Sequence, residues 1–233
     1  MRLSMIIPAQ NEEENLGVTL ANFVGIAETE DLEIIVVDDH SKDSTYRIAQ
    51  EFSAIHPQIR VVKNDKNPGF ANALLTGFHA AQGEFVLPVM ADNCDDPSTI
   101  PLMLEKISLG YDIVCGSRYM KGGKKYGGPL IQGFFSRCVG LSLHILAHIP
   151  THDISNAFKA YRKSILLSLD FEEEGFAISM EASLRFLAKG AVMTEVPTIW
   201  RGRKKGVSKF KIRKTFPYIR LFFTAFRKKW ISQ

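Results

Sequence analysis

Five short apolar runs, at 3–8, 33–38, 59–63, 84–89 and 112–117, alternate with amphipathic stretches at 15–27, 44–55, 71–82 and 99–109. That alternation constrains the fold more than any other feature of the chain. Runs this brief and predominantly apolar suit strands covered on both faces. The stretches between them carry the three-to-four-residue recurrence of helices that do the covering. Strand and helix in turn make βαβ units, so the sequence predicts an α/β protein with a Rossmann-like, doubly wound sheet. Ligands of such sheets bind outside the carboxyl ends of the strands. The polar residues that follow each apolar run are therefore where chemistry is expected.

The second half is less regular. A glycine-rich stretch at 122–128 leads into an amphipathic run at 130–149, and later come a helix-like segment at 179–189 and a strand-like run at 191–196. The run at 130–149 brings Ile131, Phe134, Phe135, Cys138, Ile145, Leu146 and Ile149 near one helical face, a pattern that suits a core helix as well as an interfacial one. With 233 residues, 45% of them hydrophobic, one domain has enough apolar surface for its own core. The expected division is a main domain over 1–210 and a basic amphipathic helix over 211–233.

Charge is distributed unevenly. Twelve Lys and Arg and no Asp or Glu lie between 201 and 233, so an acidic body carries a basic tail. In that tail Phe216, Ile219, Phe222, Phe223, Phe226 and Trp230 recur at helical spacing beside Arg213, Lys214, Arg220, Arg227, Lys228 and Lys229. A basic helix rich in Phe and Trp suits the headgroup region of an anionic bilayer, or else a membrane-protein partner or a dimer interface. The phenylalanine stripe and the acidic body argue against a nucleic-acid partner. No apolar run approaches the roughly 18 residues needed to cross a bilayer. The three cysteines, Cys94, Cys115 and Cys138, have no metal-ligand spacing. Together these features lead to the expectation of a cytoplasmic protein lying on the cytoplasmic face of a membrane.

Three polar clusters end apolar runs. In the first, Pro8, Ala9, Gln10, Asn11 and Glu12 offer groups for a base or ribose, and serve equally to start a helix with acids at its N-terminus. The second pairs Asp38 with Asp39 at a strand tip, where adjacent carboxylates repel unless hydroxyls or a cation meet them. The third, running from Met90 to Pro97, concentrates Asp92, Asp95 and Asp96, hard oxygen ligands of the kind Mg²⁺ or Mn²⁺ prefers. Asp92 is the chosen ligand there, with Asp95 beside it, and Asp96 also reads as the cap of a following turn.

The segments IIPAQNEEENL, VVDDHSKDST, NPGFANALLTGF, MADNCDDP, CGSRYMKGG, HDISNAFKAYRKS and EVPTIWRGRKKGVSKF resemble, in that order, the family 2 glycosyltransferases of GT-A fold. Their similarity is to the branch that glycosylates dolichyl or polyprenyl phosphates with mannose or glucose. The resemblance implies an inverting, metal-dependent hexosyltransferase with a mixed sheet. It implies donor contacts from Pro8, Ala9, Asn11, Glu12, Asp38 and Asp39, a Mg²⁺ or Mn²⁺ ion with the diphosphate at Asp92 and Asp95, and a phosphate clamp at Arg203 and Lys209. Arg118, Ser136 and Arg137 would hold the acceptor phosphate, with Asp92, Arg118 and Asp153 in catalytic positions. Glu181 is a further acid near the expected acceptor.

Two positions depart from the family pattern. Met90 stands where the family commonly has the first Asp of Asp-x-Asp, and Gln132 where related enzymes often carry Arg. The alternatives that follow are a different glycan or soluble acceptor, or a non-catalytic nucleotide-sugar-binding protein with a degenerate metal site. A nucleotidyltransferase is disfavoured, because 9–15 contains no glycine for a phosphate loop.

Overall fold

The structure is a computed structural model that describes residues 3–203 and 216–226. β1 (Leu3–Ala9), β2 (Glu33–Asp38), β3 (Ile59–Lys63) and β4 (Phe85–Pro88) alternate with α1 (Leu16–Thr29), α2 (Thr45–Ile55) and α3 (Phe70–Ala80). After α4 (Ile100–Ser108) come β5 (Ile113–Ser117), β6 (Lys124–Tyr126), α5 (Leu130–Leu146), β7 (Lys159–Arg162), α6 (Lys163–Leu166), α7 (Ile178–Ala188), β8 (Met193–Pro197), β9 (Ile199–Arg201) and α8 (Phe216–Ala225). The main sheet has seven strands in the order β3-β2-β1-β4-β7-β5-β8, and β6 pairs with β9 in a small separate sheet.

Alternation along each strand divides the core into two layers. Ile6 faces one layer with Ile35, Val37, Val86 and Cys115. Met5, Ile7 and Ala9 face the other with Ile34, Val36, Leu87 and Val114. A period of two therefore gives the sheet two apolar faces, one covered by α1, α2 and α4 and the other by α3, α7 and α8. Full burial of an Ile or Leu contributes roughly 1.5–3 kcal/mol, which makes these layers the main source of stability.

One strand breaks the parallel pattern. β7 lies antiparallel between β4 and β5, whereas every other pairing in the main sheet is parallel. Because its direction is reversed, the loop that enters β7 arrives at the rim where β4 and β5 end. The sequence marked 159–162 only as part of an irregular stretch, since four residues beginning with a buried lysine carry no strand periodicity.

α5 and α8 are packed together yet largely uncovered. Only Gly140 and Leu143 of α5 are buried. Leu130, Ile131, Phe134, Phe135, Ile145 and Leu146 all exceed 60% exposure. Of the two readings the sequence left open for 130–149, the outward-facing one describes this helix. α8 buries Leu221 and Ala225 while exposing Phe216, Ile219 and Phe223. Its Arg220 is tied to the body, donating from Nη2 to Glu173 at 2.7 Å and from Nη1 to Glu172 at 3.0 Å. No described helix is long and apolar enough to cross a membrane.

Candidate functional site

Three left-handed kinks, at Asn11, His40 and Asn93, lie just beyond β1, β2 and β4. They turn the chain sharply where a parallel sheet presents its carboxyl ends, and Asn tolerates such backbone better than most residues. The loops after β1 and β2 are then laced together. Asn11 N donates to Ser41 Oγ and Asn11 Oδ1 accepts from Lys42 N at 2.8 Å. Glu12 N donates to Thr45 Oγ1 at 2.8 Å, and Glu13 accepts from Ser44 N at 2.9 Å. Asn11 thus orders the rim, while Pro8 and Ala9 end β1 beside Val37 and Asp38.

The paired aspartates separate into two tasks. Asp39 accepts from Asn64 Nδ2 at 2.7 Å and from Gly69 N at 3.0 Å, so its carboxylate fixes the start of α3. Asp38 Oδ1 is buried without a hydrogen-bond partner, a condition shared among the described side chains only by Gln58 Oε1 and Asp92 Oδ1. Buried acceptors are nearly always satisfied, so two carboxylate oxygens without a protein partner on one rim are placed to take a donor or a cation.

Residues distant in sequence meet here. Arg203 donates from Nη2 to Glu12 Oε1 at 2.7 Å and from Nε to Asp92 Oδ2 at 3.3 Å. β9 makes this possible, because Arg201 N donates to Cys94 O at 2.9 Å and so fastens the strand to the turn that carries Asp92. Burial opposes charge on the Arg203 guanidinium, but Glu12 and Asp92 outweigh it and hold its pKa above the usual range. The expected clamp partner Lys209 lies outside the described residues.

Asp95 closes the same turn by accepting from Met90 N at 2.9 Å. Burial raises its carboxyl to about 7, the Met90 N–H works against that rise, Asp92 adds to it and Arg118 opposes it. Asp96 accepts from Ser98 N and Oγ as the expected cap. Among the described residues no three His, Cys, Asp or Glu converge as a metal cage. The donor set nevertheless fits a divalent ion that takes few protein ligands, since Asp92 keeps one oxygen without a protein partner and Mg²⁺ is commonly held by one or two carboxylates plus phosphate oxygens and water.

A second cluster adjoins the first. Arg118 donates to Asp153 through Nε at 2.7 Å, Nη2 at 2.8 Å and its own backbone N at 3.0 Å. Its Nη2 also reaches Ser136 Oγ at 3.1 Å, and Ser136 Oγ lies 2.7 Å from Ser155 Oγ. Burial opposes the Arg118 charge, yet Asp153 outweighs it and drives the pKa upward. Arg137 is exposed on the next residue of α5.

α5 can come this close because residue 140 is glycine. A Cβ there would lie 2.1 Å from His152 O. The loop beneath is fixed by Glu195, which accepts from His152 N at 2.8 Å and Thr151 Oγ1 at 3.0 Å. Sequence reasoning passed over Glu195, although it opens the quoted segment EVPTIW. Glu181 is built into the scaffold, accepting from Glu172 N, Glu173 N and Arg185 Nε.

The family model "Glycosyl transferase family 2" matches residues 4–169, a span holding the rim from β1 to β7. The chain belongs to glycosyl transferase family 2. It is 34% identical over 223 residues to a dolichol-phosphate mannosyltransferase of Pyrococcus furiosus, covering 94% of this chain and 62% of that protein. This chain thus spans less than two thirds of that relative's length. It is 30% identical to the polyprenol monophosphomannose synthase of Mycolicibacterium smegmatis, across 89% of this chain and 80% of that one. With the undecaprenyl-phosphate mannosyltransferase of Micrococcus luteus the identity is 31%, across 90% and 87%. Among solved structures, glucosyl-3-phosphoglycerate synthase of Mycobacterium tuberculosis, in complex with Mn²⁺, UDP-glucose and phosphoglyceric acid, superposes with a TM-score of 0.72 at 17% identity. That match covers 96% of this chain and 79% of that one, and at such identity it speaks for the fold.

Proposed function

We propose that this family 2 protein transfers a hexose, with inversion, from a nucleoside diphosphate sugar such as GDP-mannose or a UDP-hexose to the phosphate of a polyprenyl or dolichyl phosphate at a membrane surface. The observation that carries this reading is the pairing of two unlike neighbours. Orphan carboxylates and Arg203 gather at the strand ends, and Arg118 bonds Ser136 on a helix that also exposes Leu130, Ile131, Phe134 and Phe135. A phosphate headed by charge and trailed by hydrocarbon has both features.

The open oxygen of Asp38 is suited to accept a ribose hydroxyl, and Pro8, Ala9 and Asn11 frame the same rim. Glu12 and Asp92 hold Arg203 until a diphosphate competes for it, whereupon the guanidinium can turn to the leaving group. Asp92, with Asp95 beside it, would hold Mg²⁺ or Mn²⁺, which when bound supplies positive charge to the departing diphosphate. Arg118 and Ser136 orient the acceptor, and Asp153 fixes the arginine. A phosphomonoester has its second pKa at about 6, so the acceptor oxygen is already ionised and needs no general base. Its lone pair forms the bond to the anomeric carbon while the bond to the diphosphate oxygen breaks and its electron pair leaves with the nucleoside diphosphate. In-line geometry is the main requirement, and positioned charges supply the rest.

The exposed faces of α5 and α8 support membrane contact. Leu130, Phe134, Phe135, Phe216 and Phe223 are exposed on adjoining helices, and a surface this apolar calls for a lipid or protein neighbour. The basic residues flanking α8 favour anionic lipid at a cytoplasmic face.

The test is nucleoside diphosphate release from a panel of sugar nucleotides with Mg²⁺ or Mn²⁺, each with and without polyprenyl phosphate in detergent. Release that depends on the lipid with one donor supports the reading. Donor binding without lipid-dependent release rejects the lipid acceptor.

A further inference from the structure

We infer that the Lys125 ammonium completes the anion-binding set begun by Arg118 and Ser136 and contacts the acceptor phosphate. This inference rests on the lipid-phosphate reading and adds to it a residue that the motifs did not single out.

Lys125 is the inward residue of β6, half-buried between exposed Lys124 and Tyr126. Its Nζ donates to Gly127 O at 2.7 Å and sits 5.1 Å from the centroid of the Trp200 ring, its cross-strand partner. A cation held over an indole face loses much of the freedom of its four-carbon stem, so the strand pair aims the ammonium in one direction. That direction is the first turn of α5. A Cβ at Gly133 would lie 3.0 Å from Lys125 Nζ, so the helix leaves room for the ammonium there.

The same turn of α5 serves the Arg118 cluster. Gly133 O accepts from Tyr119 OH at 3.2 Å, and Ser136, three residues on, receives Arg118 Nη2 at 3.1 Å. Lys125 and Arg118 thus approach one stretch of helix from two directions. They also feel one another: burial first, and then the charge of Arg118, lowers the Lys125 pKa.

The two cations are treated differently by the protein. Arg118 has Asp153, whereas Lys125 has a neutral carbonyl, and no described carboxylate pairs with it. Two like charges drawn together with one carboxylate between them leave positive charge uncompensated in a partly desolvated place. A phosphate near two negative charges, with three strong acceptor oxygens, matches that excess and the unused ammonium protons. The apolar side chains of Leu130, Ile131 and Phe134 on the same turns of α5 would then lie along the hydrocarbon that follows the phosphate.

The experiment compares the wild type with Lys125→Gln, Lys125→Arg and the exposed-neighbour control Lys124→Gln, measuring KM for polyprenyl phosphate in detergent at saturating donor, and KM for the donor. Lys125→Gln is expected to raise acceptor KM about tenfold or more, the effect of losing a charged hydrogen bond, and to leave donor KM within about twofold. Lys125→Arg, which keeps the charge, should recover most of the loss, and Lys124→Gln should match the wild type. An unchanged acceptor KM for Lys125→Gln, with lipid-dependent transfer intact, overturns the inference and leaves the function standing. Equal rises in both KM values, unrescued by Lys125→Arg, overturn it as well. A wild type that shows no lipid-dependent release with any donor overturns the lipid-phosphate reading and this inference together.

Discussion

β2 carries a carboxylate at each end, and the protein treats them in opposite ways. Glu33, at the amino end, is buried and saturated. It accepts from Ser4 Oγ, Gln82 N and Gly83 N and pairs with Arg60 at 3.0 Å. Asp38, at the carboxyl end of the same strand, keeps a buried oxygen without a partner. Of the two carboxylates of β2, the one at the amino end is satisfied by the chain itself, whereas the one at the carboxyl end keeps an oxygen open. A buried carboxylate oxygen left open costs more than a neutral amide oxygen such as Gln58 Oε1, so Asp38 and Asp92, which share the carboxyl rim, mark where binding is expected to return stability.

Substitutions at the two rims should therefore separate activity from stability. Asp92→Asn keeps the shape but weakens any cation site, and is expected to lower kcat by about a hundredfold or more while leaving Tm nearly unchanged. Steady-state kinetics and a thermal melt read both. Glu33→Ala should do the reverse, destabilising the fold by about 3–5 kcal/mol because Arg60 and several donors lose a buried acceptor. Denaturant titration measures the loss, and the folded fraction should turn over normally. If Glu33→Ala spares stability, or Asp92→Asn lowers Tm as much, the contrast between the rims fails.

Asp153 sharpens the comparison, because it lies on the carboxyl rim yet is fully occupied by Arg118. Asp153→Asn should affect both readouts, costing about 2–3 kcal/mol and raising acceptor KM, since the guanidinium loses its holder. Chemical denaturation together with acceptor titration distinguishes this from a purely structural change.

Lys159 gives a smaller, pH-dependent effect. It is fully buried and donates to Ile154 O at 2.6 Å and Ser179 O at 3.2 Å. Burial lowers its pKa to about 8 from 10.5, with Arg118 also lowering it and Asp153 opposing. Between those values the unfolded chain holds a proton that the folded chain has released, so the contribution of Lys159 to stability rises with pH across that window. The stability difference between the wild type and Lys159→Met, which has no titrating group there, should shift in favour of the wild type between about pH 8 and 10 in parallel urea titrations.

The smallest effect is expected on the outer surface. Phe134→Ser with Phe135→Ser should shift Tm by no more than a few degrees, as both rings are exposed. Weaker sedimentation with anionic vesicles would tie these rings to membrane contact, and unchanged sedimentation would separate them from it.

The parallel part of the sheet was legible because its strands are apolar runs bounded by polar clusters, and periodicity sees both. Arg203 was singled out by its motif as a phosphate clamp, and the structure brings its guanidinium to Glu12 and Asp92. β7 escaped because its first residue is a lysine whose burial depends on carbonyls from 154 and 179, which no local pattern encodes. β6 and β9 are three residues each, too short for alternation to register. The task of Asp39 was hidden for a similar reason, since its partners Asn64 and Gly69 are supplied by the next βα unit.

The reversed direction of β7 has a consequence for how such a protein can diversify. The groups proposed to meet the donor arrive on loops that leave parallel strands, while Asp153 arrives on a loop that enters an antiparallel one. The two sets share an edge of the sheet but not a connection. Loop 151–158, together with the helix resting on it at Gly140, can therefore change sequence without altering the backbone that frames Asp38, so a new acceptor preference could be acquired as an independent part.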